Sequence, residues 1–285
     1  MGSINLIGIS ISAAVFFISF LWSEGLGIYL NLIALLVVLS GTIGSAFLSY
    51  SAQRLRSAMM VARNAYFVRL PSQDDIINAL LAMAVKSRYD GILSLERTLS
   101  RTSATFLRDA LNMLVDGFQE SELKDVLTTE SYFFKQRRAQ NERVFRSLAR
   151  SAPAFGLIGS VIGLIGMLSG LGDPDVVLKT IPIALISTLY GILLGSFLLT
   201  PIAENIYART HEELLLQKMI INGVLAISSE QNTYKLEKKL CSFLTPSIRQ
   251  VHVRNFEGFR KRYLGKSAEE RERAFDSIYS TDSTY

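Results

Sequence analysis

The chain has a single cysteine, Cys241, so no disulfide can form within it, and its position fits a reducing compartment. Its two histidines, His211 and His252, lie far apart and have no cysteine beside them. A metal centre needs several ligands clustered together, so no metal site is predicted. No glycine-rich phosphate loop, Cys/His cluster or pair of catalytic carboxylates is apparent, which argues against an enzyme. Met1 to Leu6 carry no Lys or Arg ahead of the first apolar run. A secretory signal peptide starts with basic residues, so that run reads as a retained anchor. A myristoylation start is disfavoured as well, because Leu6 stands where Ser or Thr is wanted.

Charge is also missing, and from particular places. Only 19% of the 285 residues are charged, 49% are hydrophobic, and mean hydropathy is +0.28. Four stretches hold almost no charge while the rest is dense in it, the mark of a chain that uses two solvents. About 20 apolar residues cross about 30 Å of hydrocarbon. Residues 4–22, 28–50, 152–171 and 181–200 each meet that requirement. The short connections Ser23–Gly27 and Gly172–Thr180 must share one side of the membrane. The other side takes residues 51–151 and the tail 201–285. The predicted fold is therefore an all-α integral membrane protein: a hairpin over 1–50, a helical cytoplasmic domain over 51–151, a second span pair over 152–200 and a helical tail.

Basic residues settle the orientation. Of 30 Lys and Arg, 16 fall between Arg54 and Arg150 and 13 between Arg209 and Arg273, leaving Lys179 for the short loops. Cations beside span ends stay in the cytoplasm, which puts both termini there. The net charge of +5 is explained by this topology without nucleic acid. In the cytoplasmic block, Ser72 and Asp75 have capping-box spacing ahead of Ile76, Ile77, Leu80, Leu81 and Val85. Leu107, Leu111, Leu114, Val115 and Phe118 repeat at helical spacing. Residues 122–150 lack Pro and Gly, which predicts one helix running into the third span. Residues 266–285 are rich in charge, Ser and Thr, a composition that points to disorder.

None of the four spans contains Asp, Glu, Lys, Arg or His. Ionisable groups in hydrocarbon are costly and mark ion paths where they occur. If this chain serves ion transport, the binding acid comes from another polypeptide. Spans three and four are instead rich in small residues. Gly156, Gly159, Gly163, Gly166 and Gly170 lie in the third, Gly191 and Gly195 in the fourth. Such spacing lets helices approach closely, either within one subunit or around something inserted in a ring of subunits; spacing alone weighs the two equally. Ser187, Thr188 and Tyr190 offer hydroxyls. These can line a wet path, but a membrane Ser or Thr more often bonds its own backbone.

The residues from Pro153 to Leu168, opening Pro-Ala-Phe-Gly, resemble the third span of the MotA family within the MotA/TolQ/ExbB superfamily. Asp173-Pro174, then Ser187-Thr188-Leu189-Tyr190-Gly191 and Pro201-Ile202-Ala203, are similar to the motifs that follow it there. Order, spacing and the four-span layout agree together over nearly the whole chain. The resemblance implies a stator subunit of an ion-driven flagellar motor in the bacterial inner membrane. It implies a homopentamer around a MotB-type one-span partner, whose intramembrane Asp binds the translocated proton or sodium ion, with no cofactor. It places Thr188, Ser160 and Tyr190 on the ion pathway, and gives Pro153 and Pro201 a part in coupling ion passage to movement. Ser94-Leu95-Glu96-Arg97 is similar to the family's rotor-facing segment, with Arg97 the contact to the rotor's switch protein. One departure stands out: Thr98 to Arg108 contains no acid, where flagellar members usually carry one. The alternatives are a TolQ- or ExbB-like or non-flagellar energy-transducing subunit, and a membrane scaffold without ion flux.

Overall fold

The computed structural model describes residues 29–96 and 104–244, together with Gly8, Ile11, Val15 and Ile18, which are helical. The rest of the first predicted span, Arg97 and the end of the tail lie outside the described residues. All regular structure among the described residues is helical. In chain order it comprises α1 (Leu32–Ser49), α2 (Ala52–Phe67), α3 (Gln73–Asp90), a 3₁₀ turn (Ile92–Leu95), α4 (Thr105–Val115), α5 (Glu120–Ser169), α6 (Pro174–Ile192), a π segment (Leu193–Leu199), α7 (Thr200–Ser228) and α8 (Thr233–Cys241).

Short-range chemistry sets most of these ends. The Asn31 side chain accepts from the Ala34 N–H at 3.0 Å and starts α1, later than the predicted span start at Ile28. Ser72 and Asp75 form the predicted capping box, each side chain bonded to the other's backbone N–H at 3.1 and 3.0 Å. At α6, Asp173 is the cap and Pro174 occupies the first turn, where its missing N–H costs nothing. The loop expected over Gly172–Thr180 therefore shortens to a tight turn at residues 170–173. Phe118 also departs from expectation. Gly117, at φ +83°, ends the α4 pattern, so Phe118 leaves the stripe and is exposed.

Residues 120–169 form one unbroken helix, as the lack of Pro and Gly over 122–150 predicts. At 1.5 Å per residue its 50 residues run about 75 Å, far more than a bilayer core. Three of the described helices are long and apolar enough to cross a membrane: α1, α5 and the continuous helical run 174–228.

The chain divides into two compact units, residues 1–68 with 137–209 and residues 69–136 with 210–285. The second has an aliphatic core of the soluble kind, in which Ile77, Leu80, Leu81, Met83, Leu107, Leu111, Leu123, Leu127, Met219, Leu236 and Leu240 are fully enclosed or nearly so. Every member of the predicted α3 stripe is buried there. In the first unit, small residues face inward. Ala34, Val38, Thr42 and Ala46 form the buried edge of α1. A separate cluster joins Ala58 and Ala62 of α2 to Val144, Phe145 and Ala152 of α5 and to Leu199, Ala203 and Ile206.

Candidate functional site: the seam between α5 and α6

The glycines of the predicted third and fourth spans meet one another within this one chain. A Cβ placed on Gly156 would lie 2.8 Å from the Ser187 carbonyl oxygen, and one on Gly163 would lie 2.6 Å from the Ala184 nitrogen. From the facing helix, a Cβ on Gly191 would lie 2.7 Å from the Ala152 carbonyl and one on Gly195 2.6 Å from that of Ala149. Gly159 faces Ser187, Gly166 faces Thr180 and Gly170 faces Val176. All seven glycines line this seam, where each meets a neighbour within the one chain. Gly41, outside the two glycine-rich stretches, belongs to the same scheme: the Phe155 ring lies against its backbone.

Close backbones bring hydroxyls together. The Ser160 Oγ and the Thr188 Oγ1 are hydrogen-bonded across the seam. Ser160 Oγ also lies within hydrogen-bonding distance of the Ala184 carbonyl, and it is 3.3 Å from the Gly156 carbonyl. A serine has one proton to give, so these acceptors compete for it. The result is a half-buried cluster of neutral oxygens. Its hydroxyl protons can reorient to offer either lone pairs or an O–H to a passing group. Ser187 does not join it: fully buried, it donates to the Ile183 carbonyl of its own helix, the usual behaviour of a membrane serine. Among the described residues no group of three His, Cys, Asp or Glu could hold a metal ion.

Tyr190 is placed differently from Thr188. Its hydroxyl donates to the Tyr29 carbonyl and accepts from the Asn31 N–H at 3.2 Å. It thus ties α6 to the start of α1 through two backbone groups just ahead of that helix. Sequence offered a signal only at Asn31, a cap-type residue directly ahead of an apolar run.

The two prolines flank the same seam. Pro153, inside α5, cannot donate to the Ala149 carbonyl one turn back, and that carbonyl is the one Gly195 abuts. Pro201 follows the π segment, where the Thr200 N–H and its Oγ1 (2.9 Å) both reach the Gly195 carbonyl. Beyond the spans, Arg146 of α5 pairs with Glu142 at 2.8 Å and with Glu204 of α7 at 3.1 Å. The Glu142 hydrogen bond, then the charges of both carboxylates, raise the pKa of that guanidinium.

Comparison with known proteins gives this arrangement a family. The family model described as the MotA/TolQ/ExbB proton channel family matches residues 99–219. Motility protein A of Treponema pallidum is 30% identical over 217 residues, covering 76% of this chain and 84% of that protein. The chain belongs to the MotA/TolQ/ExbB proton channel family. Chemotaxis protein PomA of Vibrio alginolyticus is similar at 29% identity, over 80% of this chain and 89% of that one. A solved structure, that of the flagellar MotAB stator complex from Bacillus subtilis, superposes with a TM-score of 0.77 at 25% identity. The match covers 88% of this chain and 98% of that chain. The family match spans the Ser160–Thr188 pair and both prolines.

Proposed function

We propose that this chain is the ring-forming subunit of an ion-driven flagellar stator in the bacterial inner membrane, working with a MotB-type partner. The observation that carries the reading is the Ser160–Thr188 hydroxyl pair, held on a glycine seam in spans with no ionisable group. An ion path built from such spans offers hydroxyls and carbonyls but no proton-binding or cation-binding acid. The acid is then the partner's, an Asp presented from one membrane helix at the centre of a ring of these chains, five by the family resemblance. Similarity to PomA and to the stator complex supports this.

In this reading the chain crosses the membrane four times with both termini in the cytoplasm. An ion arriving from outside neutralises the partner's carboxylate, which is expensive to leave bare in a low-dielectric ring. Each charge crossing about 100 mV supplies about 2.3 kcal/mol. Loading and release alter which subunit contacts are favoured and turn the ring. Thr188 and Ser160 relay or steady the ion near the acid. Tyr190 acts as a strut that holds their helix to α1. Pro153, which cannot donate to the Ala149 carbonyl one turn back, and Pro201, just past the π segment, give the helices the local compliance that coupling needs. By the family resemblance, Arg97 is the contact to the rotor's switch protein.

Replacing Thr188 with Val keeps the shape and removes the hydroxyl. Ion flux through the complex reconstituted in vesicles should fall roughly tenfold, the scale of one hydrogen bond lost in a low-dielectric site, while T188S retains flux. Unchanged flux in T188V removes Thr188 from the path. A second reading, a family member that drives something other than a flagellum of the usual charge pattern, is favoured by one observation: the absence of any acid over residues 98–108.

A further inference from the structure

We infer that the outward face of α2 is a docking surface for anionic phospholipid headgroups, at the edge of the membrane that α1, α5 and α6 cross. The inference rests on the reading of those helices as spans.

Three observations place α2 there and give it this partner. The first is its level in the fold. It follows α1 after only Tyr50 and Ser51. Its inner face, Ala58 and Ala62, packs with Val144, Phe145 and Ala152 of α5 and with Leu199, Ala203 and Ile206. Those residues sit where the apolar stretches 152–171 and 181–200 give way to charged sequence. The helix is thus fixed at the height where the spans end.

The second is the make-up of its outer face. At 100° per residue, Arg56, Met60, Arg63 and Phe67 fall in one stripe opposite Ala58 and Ala62. All four are exposed, Phe67 by 81% and Met60 by 52%, with Met59 beside them at 64%. A face meant for water would not alternate Arg with Met and Phe. At a headgroup boundary the pattern is consistent with the surroundings: apolar side chains enter the acyl region while guanidiniums stay at the phosphates.

The third is charge. Residues 25–73 contain four Arg and no Lys, Asp or Glu. Among the described residues no carboxylate pairs with Arg56 or Arg63, and the nearby Glu142 and Glu204 are engaged by Arg146. Two planar forks left without a carboxylate suit phosphodiester oxygens, which they can bind in bidentate fashion. A leaflet rich in anionic lipid adds its own attraction for each cation.

The test uses the full chain, with its partner where one co-purifies, in vesicles of phosphatidylcholine and phosphatidylglycerol. A bimane probe is attached at Met60→Cys, Cys241 being buried, and quenching by brominated lipid is measured. Brominated phosphatidylglycerol should quench at least about twofold more than brominated phosphatidylcholine at equal mole fraction. The preference should vanish in R56Q/R63Q and at high salt. Equal quenching by the two lipids overturns the inference, as does no quenching by either, which would mean that water or a second copy covers the face. A second probe, at Leu36→Cys on the exposed side of α1, reports on the spanning reading separately. If it is quenched whatever the headgroup while Met60→Cys is not, only the docking surface fails; if it is not quenched at all, the spanning reading itself fails.

Discussion

In the unit built on α3, α4 and α8 the large aliphatic side chains face one another, and Leu80, Leu81 and Met83 have no exposed surface. In the unit built on α1, α6 and the second part of α5 they face away: Leu157, Val161, Ile165 and Leu168 are each more than half exposed. Between its helices the close contacts are made largely by Gly, Ala, Ser and Thr, with Val38 and Ile186 buried among them. The two regions use similar helices with opposite rules. Where water surrounds the helices, burial of apolar area drives assembly and the big residues go inside. Where lipid surrounds them, a leucine gains nothing by leaving the surface. Helices then associate through backbone approach and hydrogen bonds, which only small residues permit. The Ser160–Thr188 bond follows from that second rule, because a larger residue at Gly156, Gly159 or Gly163 would hold the two helices apart.

The largest expected effect sharpens this point. Gly163→Val places branched carbon against the Ala184 backbone, where even a Cβ would sit 2.6 Å from nitrogen. Backbone cannot yield as a side-chain tip can, so α5 and α6 must separate. The variant should fail to give a monodisperse peak in detergent by fluorescence-detected size exclusion, and ion flux should be lost with it. A well-behaved G163V complex would show that the seam tolerates distance. Next in size is Leu80→Ala in the second unit. Leu80 is fully buried and its methyls press on Gly223, leaving a cavity worth about 2–5 kcal/mol. Hydrogen exchange of α3 and α7 amides should rise correspondingly, and the glycine seam should be unaffected.

The sequence made the second unit readable because its signals are local. The stripe Ile76, Ile77, Leu80, Leu81 and Val85 has the helical period, and the Ser72–Asp75 box depends on atoms three residues apart. Three of the four predicted spans, equally plain from length and lack of charge, fall in helices long and apolar enough to cross a membrane. The seam was half legible. Its glycines stood out by spacing, but whether they served one subunit or several depends on which helix faces which, and no local pattern encodes that. Tyr190 shows the limit well. As a hydroxyl beside Thr188 it read as pathway-lining, while its bonds to Tyr29 and Asn31 join residues about 160 positions apart. Phe118 failed for the opposite reason: the period continued past Asp116-Gly117, and the left-handed glycine that ended the helix outweighed it.

The smallest expected effect tests the comparison most directly. Leu157 is 61% exposed on α5, in a row with the equally exposed Val161, Ile165 and Leu168. If its surroundings are lipid, Leu157→Ala exchanges one lipid contact for another and leaves no cavity, because acyl chains flow into the space. Its effect on detergent-solubilised thermal stability should stay within about 0.5 kcal/mol, far below that of Leu80→Ala, although the same atoms are removed. Leu157→Asp, by contrast, should cost about 2.5–3.5 kcal/mol for membrane insertion if the position lies near mid-bilayer. A large loss in L157A would mean that another protein surface packs on that face. It would move Leu157 from the lipid-facing side of the comparison to an interface between chains.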